Sequence, residues 1–247
     1  MPEELCSGCR DGWVYRTDER GYSFAAPCPR CRPERRRSFI EGTASGIPDR
    51  YSRASWEAWT ERPQLKHVAT RLRAWAGEPW SVVLLANGLP NIGAGKTFAL
   101  SATVRAWRQR GHPAFYLDVR AMLKREGELI SRLTGDETGG VRWCSDYRGL
   151  LALDDLGAEH EDRSEWAAAA VDAVVDARYR SLLPTVLATN LGPAELAERY
   201  YRAFSRLQEG LVLTWIAPDF RGRTSPERPR VHALRAAAPT AAREDRP

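Results

Sequence analysis

SVVLLANGLPNIGAGKT, residues 81–97, joins a short apolar run to a glycine-containing turn that ends in lysine and threonine. The run 81–87 suits a strand buried on both faces. TFALSATVRAWRQR (97–110) reads as a helix stopped by Gly111 and Pro113. The segment between, Pro90-Asn91-Ile92-Gly93-Ala94-Gly95-Lys96-Thr97, therefore follows a strand and opens a helix, the context a phosphate-binding loop requires. Backbone N–H groups of such a loop and of the helix start point at one place, and the helix dipole favours an anion there. Gly93 and Gly95 let the backbone approach phosphate with no Cβ in the way. Lys96 is placed to neutralise β- and γ-phosphate oxygens, and the Thr97 hydroxyl to ligate Mg2+. The expected ATP or ADP contacts run through Asn91, Ile92, Gly93, Ala94, Gly95, Lys96, Thr97 and Phe98. Pro90 stands where the usual pattern begins with glycine, and it lacks an N–H. Gly88, two residues earlier, is the candidate for the turn.

Outward from the loop, strand and helix patterns alternate. AFYLDV (114–119), GLLALDDLG (149–157), PTVLATN (184–190) and LVLTWIAP (211–218) read as strands. RAMLKREGELISRL (120–133) reads as a broken helix, and TGDETGG (134–140) as a flexible loop. In the helix 164–182, Ala167, Ala170, Val171, Val174 and Val175 form one apolar stripe. PAELAERYYRAFSRLQEG (193–210) holds one or two helices. Such alternation predicts an α/β fold, a five-stranded mostly parallel sheet covered on both faces. Upstream, Leu65, Val68, Leu72 and Trp75 share one helical face in 64–76. The expected organisation is a cysteine module at 1–37, a linker with short helices at 38–80, the main domain at 81–222 and a disordered Pro/Arg/Ala-rich tail at 223–247.

Composition narrows the class. With 43% hydrophobic residues in 247, the chain can build one core plus a small extra module. No apolar run of about 18 residues occurs, so no membrane helix is expected. MPEELCSGCR carries acids and no apolar core, unlike a signal peptide, which makes the cytoplasm the default location. The net charge of +5 comes almost wholly from arginine, the only lysines being Lys66, Lys96 and Lys124. That balance weakly favours a nucleic-acid partner, with Arg105, Arg108, Arg110, Lys124 and Arg125 as candidate phosphate contacts.

Four of the five cysteines fall at Cys6-x2-Cys9 and Cys28-x2-Cys31. Two CxxC pairs at this spacing fit a four-thiolate structural Zn2+ site, with residues 13–22 able to form a hairpin between the knuckles. Cys144 stands apart and is read as a thiol without a role.

Three further places carry candidate chemistry. Asp154 and Asp155 end an apolar strand, where α/β sheets present ligand-binding groups. Asp154 is expected to hold Mg2+, and Asp155 to orient or deprotonate the attacking water. Asn190 ends the next strand and can hold that water near the γ-phosphate. Arg206, with Arg202 as its competitor, is the candidate to stabilise transition-state charge at a neighbouring subunit, and Arg221 to touch nucleotide in its own.

Taken in order, CSGCRDGWVY with PCPRC, GIPDRY, IGAGKT, LLALDDLGAE, VLATN and the Ser-Arg-Leu of AFSRLQEG resemble the DnaC/DnaI-type replicative helicase loaders, which share an AAA+ core with the IstB transposition ATPases. The resemblance spans residues 6 to about 222. It implies a P-loop AAA+ ATPase behind a small zinc module that grips the hexameric replicative DNA helicase. It further implies self-association through AAA+ interfaces, with Arg206 reaching the next subunit's site, and single-stranded DNA on the inner face. Many AAA+ proteins carry glutamate where Asp155 stands; ATP hydrolysis is expected, with Pro90 and the shorter Asp155 leaving its rate open. The alternatives are an IstB-like ATPase acting on duplex target DNA, whose relatives usually lack the four-cysteine module, and a nucleotide-bound adaptor that does not hydrolyse.

Overall fold

The computed structural model describes residues 8–10, 12–17, 23–33, 45–59, 63–75, 82–85, 93–123, 140–158 and 164–219. In chain order these form β1 (Trp13–Thr17), β2 (Ser23–Pro27), α1 (Lys66–Ala74), β3 (Val82–Leu85), α2 (Lys96–Gln109), β4 (Ala114–Asp118), α3 (Val119–Leu123), α4 (Gly140–Asp146), β5 (Leu150–Leu156), α5 (Ser164–Arg180), β6 (Thr185–Thr189), α6 (Pro193–Arg199), α7 (Tyr201–Leu207) and β7 (Leu211–Thr214). The tail 223–247 lies outside the described residues.

Neighbouring residues of a strand face opposite sides of a sheet. In β4 and β5 both sides are apolar, so both are buried. Leu151 and Leu153 of β5, Phe115 and Leu117 of β4 and Leu187 of β6 join one core with α4, α5, α6 and α7. Leu150 and Ala152, Ala114 and Tyr116, and Val186 and Ala188 join a second core with α1 and α2. Each fully buried leucine is worth roughly 1.5–3 kcal/mol, so continuous apolar runs favour a sheet covered on both faces over a half-exposed one.

Among the described residues the main sheet has the order β4-β5-β6-β3-β7. Every pairing in it is parallel. The chain crosses from β3 to the far edge at β4 and then fills inward, so β6 ends between β5 and β3. That insertion brings the end of β6 beside the start of α2.

Two local findings depart from the sequence expectation, and a third decides between one helix and two. Gly140 begins α4 and does not belong to a loop; Gly140, Trp143 and Cys144 are its buried positions, and so short a helix opening on glycine gives little periodic signal. The 193–210 segment splits into two helices at Tyr200, whose ring is buried. Residues expected in the linker contribute to the core: Trp56, Leu65, Ala69, Leu72 and Trp75 all pack on the α2 side. The apolar stripe of α5 is buried as its spacing requires.

A charged group ties these layers. Arg178 of α5 is fully buried and donates to the carbonyls of Cys144, Tyr147, Gly149 and Pro184 and to the Thr185 hydroxyl, at 2.6–2.9 Å. Burial lowers its pKa to about 10, so it stays charged at neutral pH. The guanidinium thereby joins α4, the start of β5 and the start of β6. Replacing it with methionine removes the guanidinium's donors from four carbonyls, of which Pro184 keeps the Leu151 N–H at 3.1 Å. Arg178→Met is expected to cost on the order of 3–5 kcal/mol, read as a lowered denaturant midpoint, with Arg178→Lys recovering only part of the loss.

Candidate functional site

The phosphate loop has the backbone its glycines allow. Gly93 and Gly95 take φ of 85° and 89°, a region closed to most other residues. Gly95 is the N-cap of α2, so the helix dipole and its first N–H groups meet the loop. Ala94 is buried, and its carbonyl accepts a 3.0 Å hydrogen bond from the indole N–H of buried Trp215. C=O and N–H point opposite ways across a trans peptide, so this bond turns the Gly95 N–H to the other side of the loop. Asn91 and Ile92 lie outside the described residues, as do Gly88 and Pro90.

Lys96 begins α2 and is only 7% exposed. Its ammonium donates to Asn190 Oδ1 at 2.7 Å. Asn190 follows β6 directly, and β6 is hydrogen-bonded to both β3 and β5. The Thr189 hydroxyl donates to the Leu156 carbonyl at 2.7 Å and accepts from the Leu191 N–H at 3.0 Å, fixing the strand end that carries Asn190.

Asp154 lies in β5 on the α2 face, following Leu150 and Ala152 by the period of two, and is 2% exposed. Its carboxylate accepts from the Thr97 hydroxyl, from the Tyr116 hydroxyl at 2.7 Å and from the Asp155 N–H at 2.9 Å. Burial raises the Asp154 pKa, with the Thr97 bond opposing and the neighbouring Asp155 charge adding to the rise. The Tyr116 hydroxyl is pushed upward too, first by burial and then by the Asp154 charge, so it remains a donor at neutral pH.

Asp155 adopts φ 56° where the β5–β6 register shifts. A left-handed aspartate stores about 1–3 kcal/mol, a cost concentrated at working sites. The irregularity frees Asp155 from the core, and its carboxylate stands 3.7 Å from the Arg120 guanidinium. Arg120 also grips Asp118 through two side-chain bonds of 2.9 and 3.1 Å.

Lys96 and Thr97 at the start of α2, Asp154 and Asp155 in β5 and Asn190 after β6 therefore lie at one end of the sheet. Phe98 packs beside them, its ring 5.6 Å from Trp59. Arg206 does not join this group within the chain. It sits on α7, ion-paired with Asp176, and lies 5.8 Å over the Tyr179 ring. Arg202 is exposed one turn earlier. Arg221, like Glu159, Lys124 and Arg125, lies outside the described residues. Arg108 is corrected as a nucleic-acid contact: it is buried and donates to the Ala114 carbonyl at 2.8 Å. Arg105 faces inward as well, donating to the Ser52 carbonyl. Tyr116, Arg120 and Trp215 were not picked out from the sequence. Tyr116 carries a faint signal, because strand pairing sets its neighbour Asp118 opposite Asp154.

At the other end of the chain, β1 and β2 pair antiparallel between the two cysteine knuckles. The Sγ atoms of Cys9, Cys28 and Cys31 lie within 4.8 Å of one another, and those of Cys9 and Cys31 are 3.4 Å apart. Zn–S bonds of about 2.3 Å in a tetrahedron need sulfurs roughly 3.8 Å apart, so three thiolates fit one ion. The backbone N–H of Cys31, with smaller help from Arg30, Cys9 and Cys31, lowers the Cys28 thiol to about 6 against the effect of burial. Thiolate is the form a metal binds. Cys6 lies outside the described residues. Cys144 is buried, and its thiol is pushed up to about 12. It belongs to the core.

The Asp154 environment yields a stability test. A buried carboxylate with a raised pKa binds its proton more tightly in the native state than in the unfolded chain. Its contribution therefore favours folding as pH falls through the native pKa and opposes folding above it. Asp154→Asn removes the charge and keeps the shape. The variant is expected to melt higher than the parent at pH 7 in the absence of nucleotide; an unchanged or lower Tm would contradict the burial argument.

No protein-family model matches the sequence, and no curated protein matches it. Solved structures do. The DnaC helicase loader is similar over 68% of this chain and 100% of its own, at TM-score 0.55 and 21% identity. DnaI is similar over 72% and 100%, at TM-score 0.52 and 20% identity. The replication initiator DnaA, solved with AMPPCP and single-stranded DNA, is similar over 69% and 51%, at TM-score 0.51 and 17% identity. The sheet order, the phosphate loop after β3 and the shared architecture converge on one statement: this chain has the α/β AAA+ fold of the DnaC-type helicase loaders.

Proposed function

We propose that the chain is an AAA+ ATPase that loads the replicative DNA helicase onto single-stranded DNA when replication begins. The observation that carries this reading is the contact of Lys96 with Asn190 beside that of Thr97 with Asp154. Two groups suited to phosphate and two suited to magnesium or water meet at one helix start. The DnaA neighbour, solved with a nucleotide analogue and single-stranded DNA, supports the choice of ligands.

In this reading the loop from Asn91 to Phe98 holds ATP or ADP. The N–H groups of Gly93, Ala94 and Gly95 donate to phosphate, and Lys96 leaves Asn190 for the β- and γ-oxygens. Thr97 and Asp154 hold Mg2+, which neutralises charge on the triphosphate. Lys96's departure frees the Asn190 carboxamide to hold a water. Asp155, turned out of the core, accepts that water's proton, and the Arg120 guanidinium 3.7 Å away orients it. Arg206 is carried on α7, where a second copy can approach, and Arg221 reaches nucleotide in its own subunit.

Cys6, Cys9, Cys28 and Cys31 hold a structural Zn2+ that folds the module 1–37, which grips the helicase. The segment 38–80 leads into the ATPase domain 81–222. No helix among the described residues is long and apolar enough to cross a membrane, which agrees with work in the cytoplasm.

Binding, hydrolysis and helicase-capture measurements test the reading. Lys96→Ala is expected to weaken ATP binding on the order of 10²-fold, the scale of one charge-assisted contact. Asp155→Asn is expected to bind ATP normally and to lose about 10²-fold or more in hydrolysis. The parent should co-purify with its host's replicative helicase and bind single-stranded DNA better with ATP. Replacing Cys28 and Cys31 with serine should release zinc and the helicase while leaving ATP binding in place. Preference for duplex DNA without helicase capture would favour the transposition ATPase, and activity that survives Lys96→Ala would favour the adaptor.

A further inference from the structure

The segment leaving β7 meets the phosphate loop twice. Leu213, Trp215 and Ala217 are all buried and all join the core on the α2 side, a period of two carried past the end of the strand. Trp215 anchors the segment by its bond to the Ala94 carbonyl. Asp219 follows two residues later, exposed to solvent, at the edge of the loop. Its carboxylate lies against Gly93: a Cβ built on Gly93 would stand 1.9 Å from Asp219 Oδ1 and 2.5 Å from its Cγ. Gly93 thus makes room for an acidic side chain as well as for its own left-handed turn.

A carboxylate is an unusual neighbour for a loop whose N–H groups and helix dipole attract anions. We propose that Asp219 is a specificity-determining residue of the nucleotide site, a fixed negative charge that selects magnesium-bound over metal-free nucleotide. The inference rests on the nucleotide-binding reading above. Repulsion between Asp219 and a triphosphate grows with the charge the nucleotide brings. Metal-free ATP carries the full charge of its phosphates, whereas Mg2+ cancels two of those charges before the ligand reaches the loop. Asp219 therefore penalises the metal-free form far more than the complex. Trp215 keeps the penalty in place, because the indole fixes the segment to the loop four residues before the carboxylate.

The test measures ATP affinity of the full chain twice, with Mg2+ and with EDTA, for the parent, Asp219→Asn and Asp219→Glu. Asparagine keeps the shape and removes the charge. Asp219→Asn is expected to bind metal-free ATP roughly tenfold tighter and MgATP at most two- to threefold tighter, so the preference for the complex shrinks. Asp219→Glu, still charged, should keep most of the parent's preference. A purely structural role would shift both affinities together, and a role as a nucleotide or metal ligand would weaken MgATP; either result overturns the inference. If the parent binds ATP under neither condition, the nucleotide reading itself fails. If it binds but the ratio is the same in Asp219→Asn, only the role of Asp219 fails.

Discussion

Lys96 and Asn190 are 94 residues apart in the chain and 2.7 Å apart in space because β6 is hydrogen-bonded between β3 and β5. Without that insertion the strand carrying Asp154 would pair directly with β3, and no carboxamide would stand between the loop and the acids. The sheet order is thus the constraint on which the candidate site depends. It is held by continuous burial of β5 on both faces, by the Thr189 hydroxyl on the Leu156 carbonyl, and by Arg178 binding the near ends of β5 and β6 through their carbonyls.

The site collects features that a stability-driven fold would avoid. Asp154 is a carboxylate in a dry place, and Asp155 a left-handed residue at a register shift. Asp219 sets a negative charge against an anion-attracting loop. In the proposed reading each is offset when a cation and a phosphate chain arrive together. Local violations of the rules for stable packing mark working residues, and here three fall within one end of one sheet. Elsewhere among the described residues, Arg178 has five acceptors, and the two cores contain few polar side chains.

The N-terminal hairpin follows a different economy. Among the described residues of the hairpin, Trp13 and Tyr15 remain exposed. Three thiols drawn to one point provide the organising centre that burial does not. The hairpin touches the main domain through Arg16, whose guanidinium donates to the Arg110 carbonyl at 3.1 Å.

By itself the sequence determined the strands, the phosphate loop and the acids at the end of β5, because period, glycine placement and strand-end chemistry are local properties. It also determined the thiol cluster, since CxxC spacing fixes which sulfurs can converge. It did not disclose Tyr116, Arg120, Trp215 or Asp219 as members of the site. Each of these acts on a partner from another element, and only the parallel pairing of β4 with β5 and of β3 with β7 brings them within reach. Arg108 shows the converse: a basic residue on a helix reads as a surface contact until packing turns it inward to a backbone carbonyl. Local chemistry names the candidates; strand order and the direction in which each side chain leaves its strand decide which of them meet.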